Sequence, residues 1–105
     1  MKLDPILSKF LKSSGSNKKI RKVFLFGSRA RGTERPDSDY DLLLVVTPAF
    51  TQSDKDKLYD CVMDILLESG RLVSLKIFKE PVFKRLMNLG TPFMTHIKKE
   101  GIKIG

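Results

Sequence analysis

The chain has 105 residues, 20 of them Lys or Arg against 12 Asp or Glu, for a formal net charge of +8. Its 41% apolar and 30% charged residues supply one ordinary core, which excludes wholesale disorder, collagen-like repeats and coiled-coil fibres, and the length allows a single domain over 1–105. The longest aliphatic run, Leu42 to Val46, falls far short of the roughly 20 residues of a membrane helix. The amino terminus lacks a secretory signal and the one cysteine, Cys61, has no intrachain partner, so the expectation is a soluble cytoplasmic protein.

The elements follow from periodicity. Leu3, Ile6, Leu7, Phe10 and Leu11 recur at helical spacing and predict a first helix over Leu3 to Lys12, ended by the polar run Ser13 to Asn17. Arg21 to Phe26 reads as a strand buried on both faces and closed by Gly27. Tyr40 to Val46 is the second strand. Between residues 53 and 69, Leu58, Cys61, Val62, Ile65 and Leu66 form one helical stripe, with Ser53 as cap, Asp54 and Asp56 in the first turn and Gly70 as the stop. Leu72 to Phe78 is the third strand. Pro81 opens a helix through Asn88, Thr91-Pro92 opens a last helix that Gly101 ends, and Ile102 to Ile104 leaves room for a small terminal strand.

The charge is segregated. Residues 1–35 hold ten basic and two acidic side chains, residues 36–70 two and eight, and residues 71–105 eight and two. A basic chain of this kind attracts polyanions, and the local motifs decide which.

The chemistry concentrates in the stretch Phe26-Gly27-Ser28-Arg29-Ala30-Arg31-Gly32-Thr33-Glu34-Arg35-Pro36-Asp37-Ser38-Asp39-Tyr40-Asp41. A buried strand that ends in Gly-Ser and turns into a short helix presents backbone N–H groups and a hydroxyl to an anion, and Gly27 lets that anion approach the main chain. Arg29 and Arg31 add guanidinium groups suited to phosphate oxygens. Gly32 is followed by Thr33 and Glu34, which excludes a Walker A loop. Asp39 and Asp41 sit two apart at the start of a strand, so both side chains leave one face, with alpha carbons roughly 6–7 Å apart. Paired carboxylates resist burial unless a cation lies between them, and hard oxygen ligands with open positions suit Mg²⁺ shared with substrate phosphates. Two such ions about 3.5–4 Å apart serve an in-line displacement of pyrophosphate.

Gly27-Ser28, a spacer, and Asp39-Tyr40-Asp41 resemble the pattern of the nucleotidyltransferase superfamily that includes DNA polymerase beta, and most of all its minimal nucleotidyltransferase members. The resemblance implies an α+β fold in which a small mixed sheet of three main strands, with a short fourth, is flanked by helices. It implies that Gly27, Ser28 and Arg31 contact the triphosphate of ATP, with Arg29 a secondary candidate, and that Asp39 and Asp41 are the catalytic acids holding Mg²⁺, or Mn²⁺ in its place. It further implies a HEPN-domain partner in a toxin–antitoxin pair, with AMP passing to a hydroxyl of that partner. Many active relatives add a third acid on a later strand; with Val73, Leu75 and Ile77 facing the core, the open face here offers Ser74 and Lys76. Glu80, just past that strand, is the one candidate to stand in, with a surface or helix-start acid as its other reading.

Three readings follow: a nucleotidyltransferase acting on a partner protein, an inactive subunit of the same shape that binds its partner, and a basic nucleic-acid binder. No helix-turn-helix, zinc or base-stacking motif supports the last. At 105 residues an acceptor-placing domain is lacking, so a partner is expected to supply specificity. Phe83, Leu86, Met87, Leu89, Phe93 and Met94 are expected in the core, His96 exposed, and Cys61 as a small buried hydrophobe.

Overall fold

A computed structural model describes residues 4–33, 35 and 38–105. The central strand is β2 (Tyr40–Val46), in which Leu42 to Val46 are all buried. An uninterrupted apolar run is what a strand covered on both faces requires. Antiparallel β1 (Ile20–Phe26) lies on one side of it, and parallel β3 (Val73–Lys79) on the other. The short β4 (Ile102–Lys103) pairs antiparallel with β1, giving the order β3-β2-β1-β4.

Two layers of helices cover this mixed sheet. On one face α1 (Pro5–Ser14) and α3 (Gln52–Ser69) pack Leu7, Phe10, Leu58, Val62 and Ile65 over Val23, Leu25, Leu42, Leu44 and Val73. On the other, α4 (Glu80–Leu89) and α5 (Pro92–Glu100) bring Phe83, Met94 and Ile97 onto Leu43 and Val45. Because side chains alternate along a strand, Leu42 and Leu44 serve the first core while Leu43 and Val45 serve the second. The short α2 (Ser28–Arg31) links β1 to the loop before β2.

The elements occur in the expected order, with shifted ends. Asp4 caps α1 by accepting from the Ile6 N–H, and the helix runs on to Ser14, whose hydroxyl donates to the Phe10 carbonyl. Leu3, Glu34, Pro36 and Asp37 of the sequence reading lie outside the described residues.

The cap of α3 is Thr51 rather than Ser53. Thr51 and Asp54 form a reciprocal capping box, and the Asp54 carboxylate also accepts from Lys19 Nζ at 2.9 Å and Asn17 Nδ2 at 3.2 Å. Those anchors before β1 select the Thr51 box over its neighbour. The Thr51 N–H and the Lys19 ammonium hold the Asp54 carboxyl well below the usual carboxylate range. Of the expected core residues at the carboxyl end, Phe83 and Met94 are buried, and Leu86, Met87 and Phe93 pack against them; Leu89 is exposed. Cys61 is half-buried against the first core.

Candidate functional site

Three neighbouring strand ends build the site. Phe26 on β1, Asp41 on β2 and Ser74 on β3 are laterally paired, so their side chains share the α4/α5 face of the sheet. One step inward the row is Phe24, Leu43 and Lys76. Asp41 therefore stands at the mouth of the second core, and Asp39 immediately precedes the strand.

Gly27 turns the chain from β1 into α2 at φ 75° and ψ −158°, a region open essentially only to glycine. A β-carbon there would meet the Asp41 carboxylate, 3.2 Å from Cγ and closer still to Oδ2. The turn is thus pressed against the carboxylate, with no side chain between them. Ala30 and Arg31 N–H groups donate to the Gly27 carbonyl; the N–H groups of Ser28 and Arg29, in the first turn, have no intrahelical acceptor, an arrangement that can take an anion.

Burial and the Asp39 charge push the Asp41 carboxyl upward, opposed by the Lys76 ammonium and the Arg31 guanidinium. A cation beside Asp41 would offset both causes. Asp39 and Asp41 supply hard oxygen donors, so the donor set fits Mg²⁺ or Mn²⁺. Among the described residues no group of three or more His, Cys, Asp or Glu side chains converges to hold a metal ion.

Ser74 and Lys76 are exposed on the site face, while Val73, Leu75 and Ile77 pack into the first core, as the alternation predicts. Glu80 cannot stand in for a third acid. It opens α4 beyond the far end of β3, six residues past Ser74, a span of about 20 Å at strand rise.

The two arginines differ. Arg29 donates from Nε at 3.1 Å and Nη2 at 2.8 Å to the Ser38 carbonyl, and its guanidinium stacks 3.8 Å from the Tyr40 ring centroid. It grips the residues on both sides of Asp39. Tyr40 donates its hydroxyl to the Asp4 carboxylate at 2.7 Å, and burial together with that carboxylate raises its pKa to about 12. Arg31 instead reaches Glu100 of α5 at 3.6 Å, and His96 Nδ1 approaches the same Glu100 oxygen at 3.7 Å.

Arg31, His96 and Glu100 line a cleft of about 280 Å³ with Phe26, Gly27 and Phe93. Phe26 and Phe93 meet edge to face at 5.4 Å, and Lys76 Nζ lies 5.7 Å from the Phe93 centroid. The last helix thus walls the Gly27 turn. Sequence reasoning left Glu100 and Phe93 out of the site, because no local pattern ties either to residues near the other end of the chain.

The "Polymerase beta, Nucleotidyltransferase" family matches residues 8–104. Two proteins of Methanocaldococcus jannaschii are similar in sequence. "Putative protein adenylyltransferase MJ0604" is 31% identical over 83 residues, covering 79% of this chain and 76% of its own. "Putative protein adenylyltransferase MJ0141" is 27% identical over 106 residues, covering 99% and 100%. Among solved structures, a mutant of the toxin–antitoxin complex MntA-HpeT aligns with TM-score 0.59 at 16% identity, over 99% of this chain and 73% of that one. A toxin–antitoxin with AMP-PNP aligns with TM-score 0.55 at 13% identity, over 93% and 68%. At those identities the structural likeness establishes the fold. Matched over almost its whole length, the chain belongs to the polymerase beta-type nucleotidyltransferase family.

Proposed function

We propose that this chain transfers AMP from ATP to a hydroxyl of a partner protein, as the nucleotidyltransferase half of a toxin–antitoxin pair whose other half is a HEPN-domain protein. The observation that carries the reading is the Gly27 turn pressed against the Asp41 carboxylate, a close approach of main chain and carboxylate that supports phosphate and metal binding at one point. The names of the M. jannaschii relatives support adenylyl transfer. The AMP-PNP and MntA-HpeT complexes, as properties of structural neighbours, support a nucleotide and a protein partner.

In this reading the Gly27 and Ser28 backbone and the Arg31 guanidinium bind the triphosphate. Asp39 and Asp41 hold Mg²⁺, which when bound neutralises phosphate charge and lowers the pKa of a coordinated hydroxyl. The acceptor oxygen forms a bond to the α-phosphorus as the bond from that phosphorus to pyrophosphate breaks; the hydroxyl proton leaves to solvent or a phosphate oxygen. Arg29 keeps Asp39 in place. Phe93 and Phe26 shield one flank of the site from water.

A second reading rests on Ser74 and Lys76, which occupy the open face where many active relatives carry a third acid. It makes the chain an inactive subunit that binds nucleotide and partner without turnover. Incubation with Mg²⁺, ATP and the protein encoded beside it, followed by intact mass spectrometry, separates the two. A gain of AMP on the neighbour that vanishes in Asp39→Asn and Asp41→Asn is expected. No gain with wild type, together with transfer restored by Ser74→Asp, would favour the inactive subunit.

A further inference from the structure

Lysine is a poor strand former, and on an edge strand its usual service is to keep a second sheet away. β3 is such an edge: among the described residues it pairs with β2 alone and closes one end of the order β3-β2-β1-β4. Two lysines lie on it. By alternation Lys79 belongs to the face of Val73, Leu75 and Ile77, and Lys76 to the face of Ser74 and Asp41. A lysine that merely guards the edge turns its ammonium outward into water. Lys76 does the opposite. Its Nζ stands 5.7 Å from the centroid of Phe93, whose ring meets Phe26 of β1 at 5.4 Å. β1 lies beyond β2, so the side chain leans inward, across β2, toward the row that holds Asp41.

Asp41 is thereby flanked by two cations of different standing. Arg31 approaches from the Gly27 side and is paired with Glu100 at 3.6 Å. Lys76 approaches from the β3 side, is exposed, and forms no ion pair with a carboxylate among the described residues. Both favour the ionised Asp41 carboxylate, against the burial and the Asp39 charge that oppose it. An ammonium at an aromatic face, beside a carboxylate with which it makes no pair, has donors left for an incoming anion.

The position says which anion, given the proposed transfer reaction, on which this inference rests. The Gly27 and Ser28 backbone and Arg31 take the outer phosphates on the β1 side, and the reacting phosphorus comes to Asp41. Lys76 arrives from beyond Asp41, the side away from Gly27, and so meets the reacting phosphorus first. We propose that Lys76 is a further substrate-binding residue of this site, its ammonium donating to a non-bridging oxygen of the α-phosphate. There it neutralises charge on the phosphoryl group as the bond to the acceptor oxygen forms and the bond to pyrophosphate breaks.

The test uses the full chain and compares wild type, Lys76→Gln and Lys79→Gln by calorimetric titration with ATP, AMP and inorganic pyrophosphate, each with Mg²⁺. Lys76→Gln should bind ATP and AMP about tenfold more weakly, the scale of a lost hydrogen bond to a charged group, and should bind pyrophosphate as wild type does. Lys79→Gln, which removes the same charge from the opposite face, should match wild type throughout. Without nucleotide, Lys76→Gln should hold Mn²⁺ at least as tightly as wild type, because Asp41 loses only a neighbouring cation. Weaker Mn²⁺ binding would mean a displaced Asp41 and would overturn the assignment. Unchanged AMP affinity in Lys76→Gln would overturn it too, as would an equal loss for pyrophosphate, an equal loss in Lys79→Gln, or a defect confined to binding the protein encoded beside it. A wild type that binds neither ATP nor AMP would sink this contact and the transfer reaction together. Weaker AMP binding in Lys76→Gln, with no AMP transferred by wild type to any acceptor, would leave the phosphate contact standing and sink the transfer reaction alone.

Discussion

The carboxylate of Asp41 fills the space that a side chain on Gly27 would need. The Gly27 turn and the Asp41 carboxylate therefore form one packing unit, and a change in the first displaces the second.

Gly27→Ala tests that unit. The backbone there lies in a region that costs a non-glycine residue roughly 1–3 kcal/mol, and the added methyl would push Asp41 out of place. A loss of about 2 kcal/mol or more in urea unfolding is expected, together with at least tenfold weaker ATP binding by calorimetry. Gly32→Ala makes the control. Its φ of 74° imposes strain too, but an added β-carbon there meets nothing within 4 Å, so ATP binding should hold far better.

Asp41 lowers the stability of the fold at neutral pH. Its carboxyl is pushed up by burial and by Asp39, so the folded protein holds that proton more tightly than the unfolded chain. The favourable contribution is complete below the ordinary carboxylate pKa and is lost as pH rises through the raised value. Asp41→Asn should accordingly melt higher than wild type at pH 7, with the gap closing as pH falls below the usual carboxylate range. Transfer should fall about 100-fold or more, the scale on which losing a group that stabilises transition-state charge acts. Thermal melts across pH read the first effect and initial rates the second.

Arg29 earns its place through Ser38 and Tyr40. Arg29→Gln removes two charge-assisted hydrogen bonds to one carbonyl and a stacked guanidinium, worth about 1–3 kcal/mol together. The loop that carries Asp39 loosens, and Mn²⁺ affinity measured by electron paramagnetic resonance should drop several-fold. Arg29→Lys should not rescue it, because an ammonium lacks the planar fork that grips Ser38 while lying on the Tyr40 ring.

Glu100 pairs with Arg31, the guanidinium proposed to contact the triphosphate. The pair is half-exposed and 3.6 Å apart, and such pairs are worth roughly 0.2–1 kcal/mol. Freeing the guanidinium with Glu100→Gln should tighten ATP binding by about two- to five-fold at low ionic strength. The gain should shrink in high salt. An unchanged affinity would mean that Arg31 does not move from carboxylate to phosphate.

Much of this is legible in the sequence. β2 announces itself in the run Leu42 to Val46, and the alternation of Leu72 to Phe78 already assigned Ser74 and Lys76 to the open face. Gly70 marks a helix end because its φ of 71° favours glycine, and Gly101 because a β-carbon there would crowd the Ile97 carbonyl. Where two local solutions were equally good, tertiary contacts chose. Ser53 and Thr51 both precede an aspartate by three residues, and Lys19 and Asn17 reach only Asp54. Arg29 and Arg31 are chemically alike in sequence, and only the return of the chain at Ser38 and Tyr40 separates the residue that braces Asp39 from the one that faces the cleft.

The sequence by itself determined the order of strands and helices, the Gly-Ser turn and the acidic pair, since each rests on spacing within a few neighbouring residues and on the burial that spacing imposes; the mixed sheet flanked by helices followed from the family resemblance. The tertiary structure alone decided that Asp41 presses on Gly27, that Glu100 meets Arg31, and that Lys76 leans across β2 to the Phe93 ring. Those relationships join residues distant along the chain, and they exist only once the strands have paired and the last helix has packed across them.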